Sequence, residues 1–230
     1  MHKSRSEYRD CYKAHLAVEP ETGLVTAAAL TPANVGDGPI GVDLLDGEEP
    51  GLRVLADSAY GSGEARSGLR TARHHQAIKP IPLRPAVLGG FTRDDFIVDR
   101  TNGTATCPAG HTVTITASNN AVFERHCHGC FLRVRCTKAK EGRSLRLHDH
   151  DDELVEARRA WRDGDFAEDY RRWRPMVERS IAWLVVGPNR RVRFRGVAAN
   201  QFGLSLRVEA INLRRMVNLG LDHRGAWIVN

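Results

Sequence analysis

The stretch Leu52-Arg53-Val54-Leu55-Ala56-Asp57-Ser58-Ala59-Tyr60-Gly61 constrains the fold more than any other part of the chain. A short apolar run of strand type delivers one carboxylate, Asp57, to its C-terminal end. Gly61-Ser62-Gly63 then opens a helical segment from Glu64 to Arg73. Strand, turn and helix in that order build α/β sheets, which carry their chemistry at the carboxyl ends of their strands. Asp57 taken alone fits two readings, a cap on the strand–helix junction or a catalytic acid. Glu178 bears on the choice. From Arg171 to Arg195 it is the sole acid among eight arginines, Arg171, Arg172, Arg174, Arg179, Arg190, Arg191, Arg193 and Arg195. An acid kept in such a strip is either ion-paired or placed to hold a metal for phosphate chemistry.

With 230 residues the chain can bury a sizeable core, and 41% hydrophobic with 27% charged residues marks it as globular. The net charge of +6, concentrated in arginines between 158 and 195, points to a phosphate-bearing partner, because the guanidinium fork grips phosphate oxygens in pairs. The N-terminus lacks the apolar core of a signal peptide, and no run approaches the ~18 apolar residues of a membrane span. A cytoplasmic protein without membrane attachment is expected, and its five cysteines should then be free thiols or metal ligands.

In chain order, Lys13–Val18 and Leu24–Leu30 read as strands joined by the turn Glu19-Pro20-Glu21-Thr22-Gly23. A short helix from Pro39 to Leu45, the Asp57 strand, the 64–73 helix and a strand at Gln76–Ile81 follow. The order predicts one mixed sheet with helices packed on it. The chain enters its first hairpin after about a dozen polar residues, so a preceding strand is expected to be absent and the sequence to begin within a domain. Residues 1–82 are thus the N-terminal part of a core. Residues 83–150 read as a Cys-rich insertion with short strands at 96–98 and 113–115, and residues 151–230 as the helical C-terminal part of the core. There the pattern predicts a helix over 153–162, a longer one from near Phe166 that Pro175 either kinks or divides, an edge strand over 189–194, and a last helix from Val197 to Leu219 with Leu206, Ala210, Leu213 and Val217 on its apolar face.

Cys107, the Cys127-His-Gly-Cys130 knuckle and Cys136 offer four thiolates, a set that suits a closed, structural, tetrahedral Zn²⁺ site. His111, His126 or His128 could replace one thiolate, and unligated cysteines in a loop-rich region are the other reading. Cys11 reads as a small apolar residue beside the first strand. The run His148–Glu153 reads as helix-start acids rather than as a metal cluster, and Ser62 as a helix cap.

Asp57 and Glu178 are carboxylates of the kind that hold paired Mg²⁺ or Mn²⁺ ions for phosphoryl transfer. Arg174 and Arg179 stand beside Glu178, and an Arg174–Glu178 pair within one helix is the plainer alternative. At these residues the sequence resembles the catalytic region of DDE-type insertion-sequence transposases. The likeness runs through Tyr12–Val18, Thr31-Pro32-Ala33-Asn34 with Asp37, Leu55–Gly61, the cysteine-bearing insertion, Arg174–Leu184 and Asn212-Leu213-Arg214-Arg215.

The resemblance implies an RNase H-like fold with Asp57 and Glu178 as the second and third catalytic acids, both binding Mg²⁺ or Mn²⁺. The reaction would be cleavage and strand transfer at transposon ends and target DNA. Lys13, Arg171, Arg172, Arg174, Arg179, Arg190 and Arg191 would contact the DNA. A homodimer is left open. Two departures stand out. The family's first Asp lies on a strand before Tyr12–Val18, where neither Asp10 nor Glu7 substitutes for it, and Val185 stands where related enzymes often carry a basic residue. The expectation is the C-terminal part of a transposase from a truncated or split gene, without the usual DNA-end-binding domain and with little or no activity alone. The rivals are a non-catalytic, zinc-containing nucleic-acid-binding protein and a metal-dependent nuclease of the same fold.

Overall fold

The computed structural model of the protein describes residues 2–4, 7–8, 11–223 and 227–229. They divide into two compact units, Met1–Lys79 with Ala160–Asn230, and Pro80–Arg159.

The first unit begins with a short antiparallel pair, β1 (His2–Ser4) and β2 (Glu7–Tyr8). β3 (Tyr12–Val18) and β4 (Val25–Pro32) form an antiparallel hairpin. Its loop is closed by the Glu19 carboxylate, which accepts the N–H groups of Glu21 and Thr22 at 2.9 and 2.7 Å, and Gly23 supplies the positive φ of 73°. α1 (Asp37–Asp43) leads to β5 (Arg53–Ala56), α2 (Gly63–Thr71) and β6 (His75–Ile78). β5 and β6 pair in parallel, an arrangement that needs a crossover such as α2 between them. Ser62 caps α2 as expected, its Oγ accepting the Ala65 N–H at 3.2 Å.

The mixed α/β character expected from the sequence is present, but the single sheet is not. Strand pairing needs backbones about 4.8 Å apart, and β3 and β5 are not bonded to each other. The unit instead holds separate β3–β4 and β5–β6 sheets, and β3 and β5 both line one cavity of about 450 Å³.

After residue 159 come α6 (Ala167–Leu184) and α7 (Val197–Asn218). α6 runs unbroken through Pro175, which stands on an exposed face. The edge strand expected over 189–194 does not form. Gly187–Arg190 is a 3₁₀ turn, and among the described residues no strand is paired with the arginine-rich stretch. On α7 the buried face is Leu204, Ile211 and Arg215, with Asn200 at its start, whereas Leu206, Leu213 and Val217 are half exposed. The helix carries two apolar stripes, and the buried one also holds the amides that β4 needs. Gln201 accepts the Leu30 N–H at 2.6 Å and donates to the Ala28 carbonyl at 3.2 Å. Asn212 accepts the Val25 N–H at 2.8 Å and donates to its carbonyl at 2.9 Å. Leu184, Leu204 and Ile211 pack with Leu16, Ala28 and Leu30 into a core between this hairpin and the two helices. The unit ends in the antiparallel pair β12 (Leu221–His223) and β13 (Trp227–Val229).

The second unit is loop-rich. β7 (Ile97–Asp99), β8 (Thr104–Thr106) and β9 (Thr112–Thr114) form one antiparallel sheet, and β10 (Asn120–Val122) pairs with β11 (Ser144–Arg146). Between the last two lie the single-turn helices α3 (Glu124–Cys127) and α4 (Arg133–Cys136). Phe96, Ala105, Ala121, Phe123, Leu145 and Leu147 form its core together with Cys127 and Cys136. α5 (Asp151–Asp163) starts here with three acids in its first turn, and Asp151 is buried against Arg93. The acidic run therefore serves the helix start and an ion pair.

Replacing Asn212 by Ala leaves both backbone groups of Val25 without their partner on a half-buried edge. A loss of about 1–3 kcal/mol is expected from urea unfolding, and an unchanged midpoint would show that the amide does not hold the edge.

Candidate active site

β5 ends in extended geometry at Asp57 (φ −78°, ψ 177°), which caps the 3₁₀ turn Ser58–Tyr60. Its two carboxylate oxygens do different work. Oδ1 accepts the Ala59 N–H at 3.0 Å, so the capping reading holds, while Oδ2 accepts Arg174 Nη2 at 3.1 Å. Arg174 stands one turn before Glu178 on α6 and donates from Nε to Glu178 Oε1 at 3.3 Å. One guanidinium thus joins two acids that are remote in sequence. The Arg174 side chain is 25% exposed, Asp57 38% and Glu178 64%. Solvent screening at such exposure limits each pair to about 0–1 kcal/mol.

The turn after Asp57 is fixed from behind. Arg66, 1% exposed, donates to the carbonyls of Gly61 (3.2 Å) and Ile78 (3.1 Å) and to Gln76 Oε1 (3.3 Å). A Cβ at Gly61 would stand 2.8 Å from Arg66 Nη2 and 3.2 Å from the Ile78 side chain, so a larger residue would have to displace the guanidinium. Beside the acids, the Tyr60 hydroxyl meets His15 Nδ1 at 2.9 Å, and His15 Nε2 meets Thr31 Oγ1 at 2.9 Å. Burial, reinforced by Asp37 and Asp57 and opposed by Arg174, pushes the Tyr60 phenol up to about 12. Burial also raises Tyr170, with Arg174 opposing and Asp57 and Glu178 reinforcing. It lowers His15 despite Asp37 nearby, with Lys13 adding to the drop, so His15 is neutral. His15, Tyr60 and Tyr170 had no role in the sequence reading. Their only signal was that two of them lie inside the two strand motifs.

The expected DNA contacts divide into two groups. Lys13 is engaged with Asp37 and the Val35 carbonyl, and Arg174 with its two acids. Arg171, Arg172, Arg179, Arg190 and Arg191 are exposed. Arg171 leans on the Ala167 carbonyl and Arg172 lies 4.5 Å over the Trp173 ring.

In the second unit, Cys107, Cys127, Cys130, Cys136 and His126 all border a small space of about 20 Å³. The Cys136 thiol is raised by burial and by the other three cysteines, with Arg143 opposing. His111 stacks on His126 at 4.7 Å, and His128 is exposed.

Fold and site define a mixed α/β protein with two carboxylates converging at a strand end, beside an arginine-rich helix. Residues 106–217 match the family model described as transposase DDE domain, and the resemblance of this chain to DDE-type transposases is thereby shown. The matched stretch contains Glu178 and the four clustered cysteines, while Asp57 lies outside it. No curated protein and no solved structure matches the chain. The family match supports a transposition-related function, suggests DNA as partner and implies use of a divalent metal. Asp57 and Glu178 fit such a cation in kind, being hard oxygen donors. Among the described residues no group of three or more His, Cys, Asp or Glu is arranged to hold a metal ion, and no helix is long and apolar enough to cross a membrane.

His15 gives a pH test. A histidine whose folded pKa lies below its ordinary 6.5 binds a proton more readily when unfolded, so its contribution is intact above 6.5 and is lost as pH falls. Urea unfolding at pH 7.5 and 5.5 should show the native protein losing more stability on acidification than the His15→Gln variant, and equal losses would exclude the assignment.

Proposed function

We propose that this chain is part of a DDE transposase core, with Asp57 and Glu178 as two of its acids, acting in cleavage and transfer of DNA strands at transposon ends and target. The observation that carries the reading is their convergence on Arg174, at a strand end and on a helix that also carries the exposed Arg171, Arg172 and Arg179. Asp57 and Glu178 are the side chains that would hold Mg²⁺ or Mn²⁺. Bound there, the metal would supply activation of the attacking oxygen and stabilisation of the leaving one.

The chain's own groups do the rest. Arg66 fixes the turn that aims Asp57, and Arg174 offsets one of the two carboxylate charges and bridges the pair. Arg171, Arg172, Arg179, Arg190 and Arg191 grip phosphates, so DNA affinity falls steeply with salt. Activity of the chain alone is low in this reading, because two carboxylates without a third leave a two-metal centre short of donors.

Nicking of supercoiled plasmid in Mg²⁺ or Mn²⁺, compared between the native protein and its Asp57→Ala and Glu178→Ala forms, tests the acids. A weak metal-dependent activity that falls at least tenfold in either variant is expected, and equal activity in all three removes the catalytic assignment.

The cysteine group carries a second reading, a structural Zn²⁺ held by Cys107, Cys127, Cys130 and Cys136, with His126 at hand. What supports it is that the four cysteine residues line one small space, although their side chains as placed do not form a ligand set. Metal analysis should give one equivalent of zinc, lost in the Cys127→Ser and Cys130→Ser forms. A folded, metal-free native protein would refute it, whereas zinc binding with DNA affinity and no nicking would favour a non-catalytic nucleic-acid-binding protein.

A further inference from the structure

Charge is divided within the first unit. From Ala14 to Leu52 the chain has seven acids and no Lys or Arg, whereas arginines crowd residues 171–195. Of the seven, Glu19 closes its own turn and Asp37 holds Lys13. Asp43, Asp46 and Glu48 are exposed, and among the described residues they form no ion pair. All three line one hollow of about 490 Å³, bordered by the end of α1, the loop after it and the end of α2. Short backbone turns fix that loop, with N–H groups of Leu45, Asp46 and Glu48 donating to the carbonyls of Val42 (3.0 Å), Asp43 (3.1 Å) and Leu45 (3.1 Å). Val42, Leu45 and Pro50 give the hollow apolar surface, and with Arg73 its one cation the acids stay in excess. His74, 7% exposed, lines it too, and its Nδ1 is buried without a hydrogen-bond partner. A buried polar atom of this kind calls for a partner. The hollow therefore suits a ligand that is apolar and cationic at once.

The same unit displays such a segment. Residues 191–195 read Arg-Val-Arg-Phe-Arg, and all five are exposed, Phe194 by 57%. The backbone there is fixed. Asn200 Oδ1 accepts the Phe194 N–H at 3.3 Å, and Asn200 Nδ2 donates to the carbonyls of Phe194 and Gly196 at 2.7 Å each. The Gly196 N–H donates to the Tyr12 hydroxyl at 2.9 Å. The side chains are left uncovered, and among the described residues Arg193 and Arg195 form no ion pair. A segment already held in one backbone conformation loses little entropy when it docks. Its alternation of guanidinium and apolar groups is complementary to an apolar hollow edged by acids.

We propose that the hollow takes the 191–195 segment of a second copy of this chain, with Phe194 entering against Val42, Leu45 and Pro50 and the flanking Arg193 and Arg195 meeting Asp43, Asp46 and Glu48. Hollow and segment are different surfaces, so the contact either closes by being made twice across a twofold axis or extends head to tail. Arg190 and Arg191, DNA contacts in the function proposed above, adjoin the segment, and DNA therefore competes with the second copy. The contact itself does not rest on that reading.

Sedimentation of the full chain without DNA should show reversible association that weakens at least tenfold from low to high salt. A hollow variant, Asp43→Lys with Asp46→Lys and Glu48→Lys, and a segment variant, Arg193→Glu with Arg195→Glu, each set like charges against each other and should stay monomeric. Mixed in equal amounts, the two meet with their charges exchanged and should associate again, which misfolded variants would not do. A fluorescein-labelled Arg-Val-Arg-Phe-Arg peptide should bind the native chain saturably and the hollow variant at least tenfold more weakly, and on unaltered protein it should dissociate the native assembly. A native chain that is monomeric at every concentration, association unchanged in both variants, or a mixture that stays monomeric overturns the proposal. Peptide binding to a monomeric native chain overturns it as well, because the occupant is then the basic segment of another protein. No DNA or metal enters the measurement and neither catalytic acid is altered, so its outcome is separate from that of the catalytic reading.

Discussion

A strand edge must find partners for its backbone, and the first unit is arranged by how each edge is closed. Two side-chain amides of α7 close the outer edge of β4. That fixes which residues of β3 face β4, and hence which face the cavity. It also explains why α7 buries its Leu204, Ile211 and Arg215 face. A helix held to a strand edge by Gln201 and Asn212 has its rotation set, and the apolar residues on the same stripe follow inward. Backbone satisfaction outranks apolar count here, since a half-buried N–H left unmade costs as much as a partly exposed leucine gains.

The acids depend on the same frame. Arg174 lies between them, but with exposed partners its pairs are too weak to hold α6 against β5. Direct contact of α6 with β5 does that, and Trp173 and Val177 stand on the face of α6 that lines the cavity with β5. The ion pairs then select among rotamers that packing already allows. Behind them, Arg66 is a buried cation satisfied by two carbonyls and an amide oxygen.

Local rules carried most of the sequence reading. The hairpin around Glu19–Gly23, the Ser62 cap, the helical period of α6 and the acidic start of α5 each follow from a few adjacent residues. What failed required knowledge of distant partners. The pattern at Leu206, Leu213 and Val217 is as regular as the buried one, and only the β4 edge decides between them. The stretch 189–194 has strand-like spacing, but among the described residues no strand is paired with it. The single sheet failed for the same reason, because propensity makes strands and only a partner makes a sheet. At the site, Asp57 and Glu178 stood out by isolation and by resemblance. His15, Tyr60, Tyr170 and Arg66 did not, since a buried polar residue is recognisable only once its partners are placed around it.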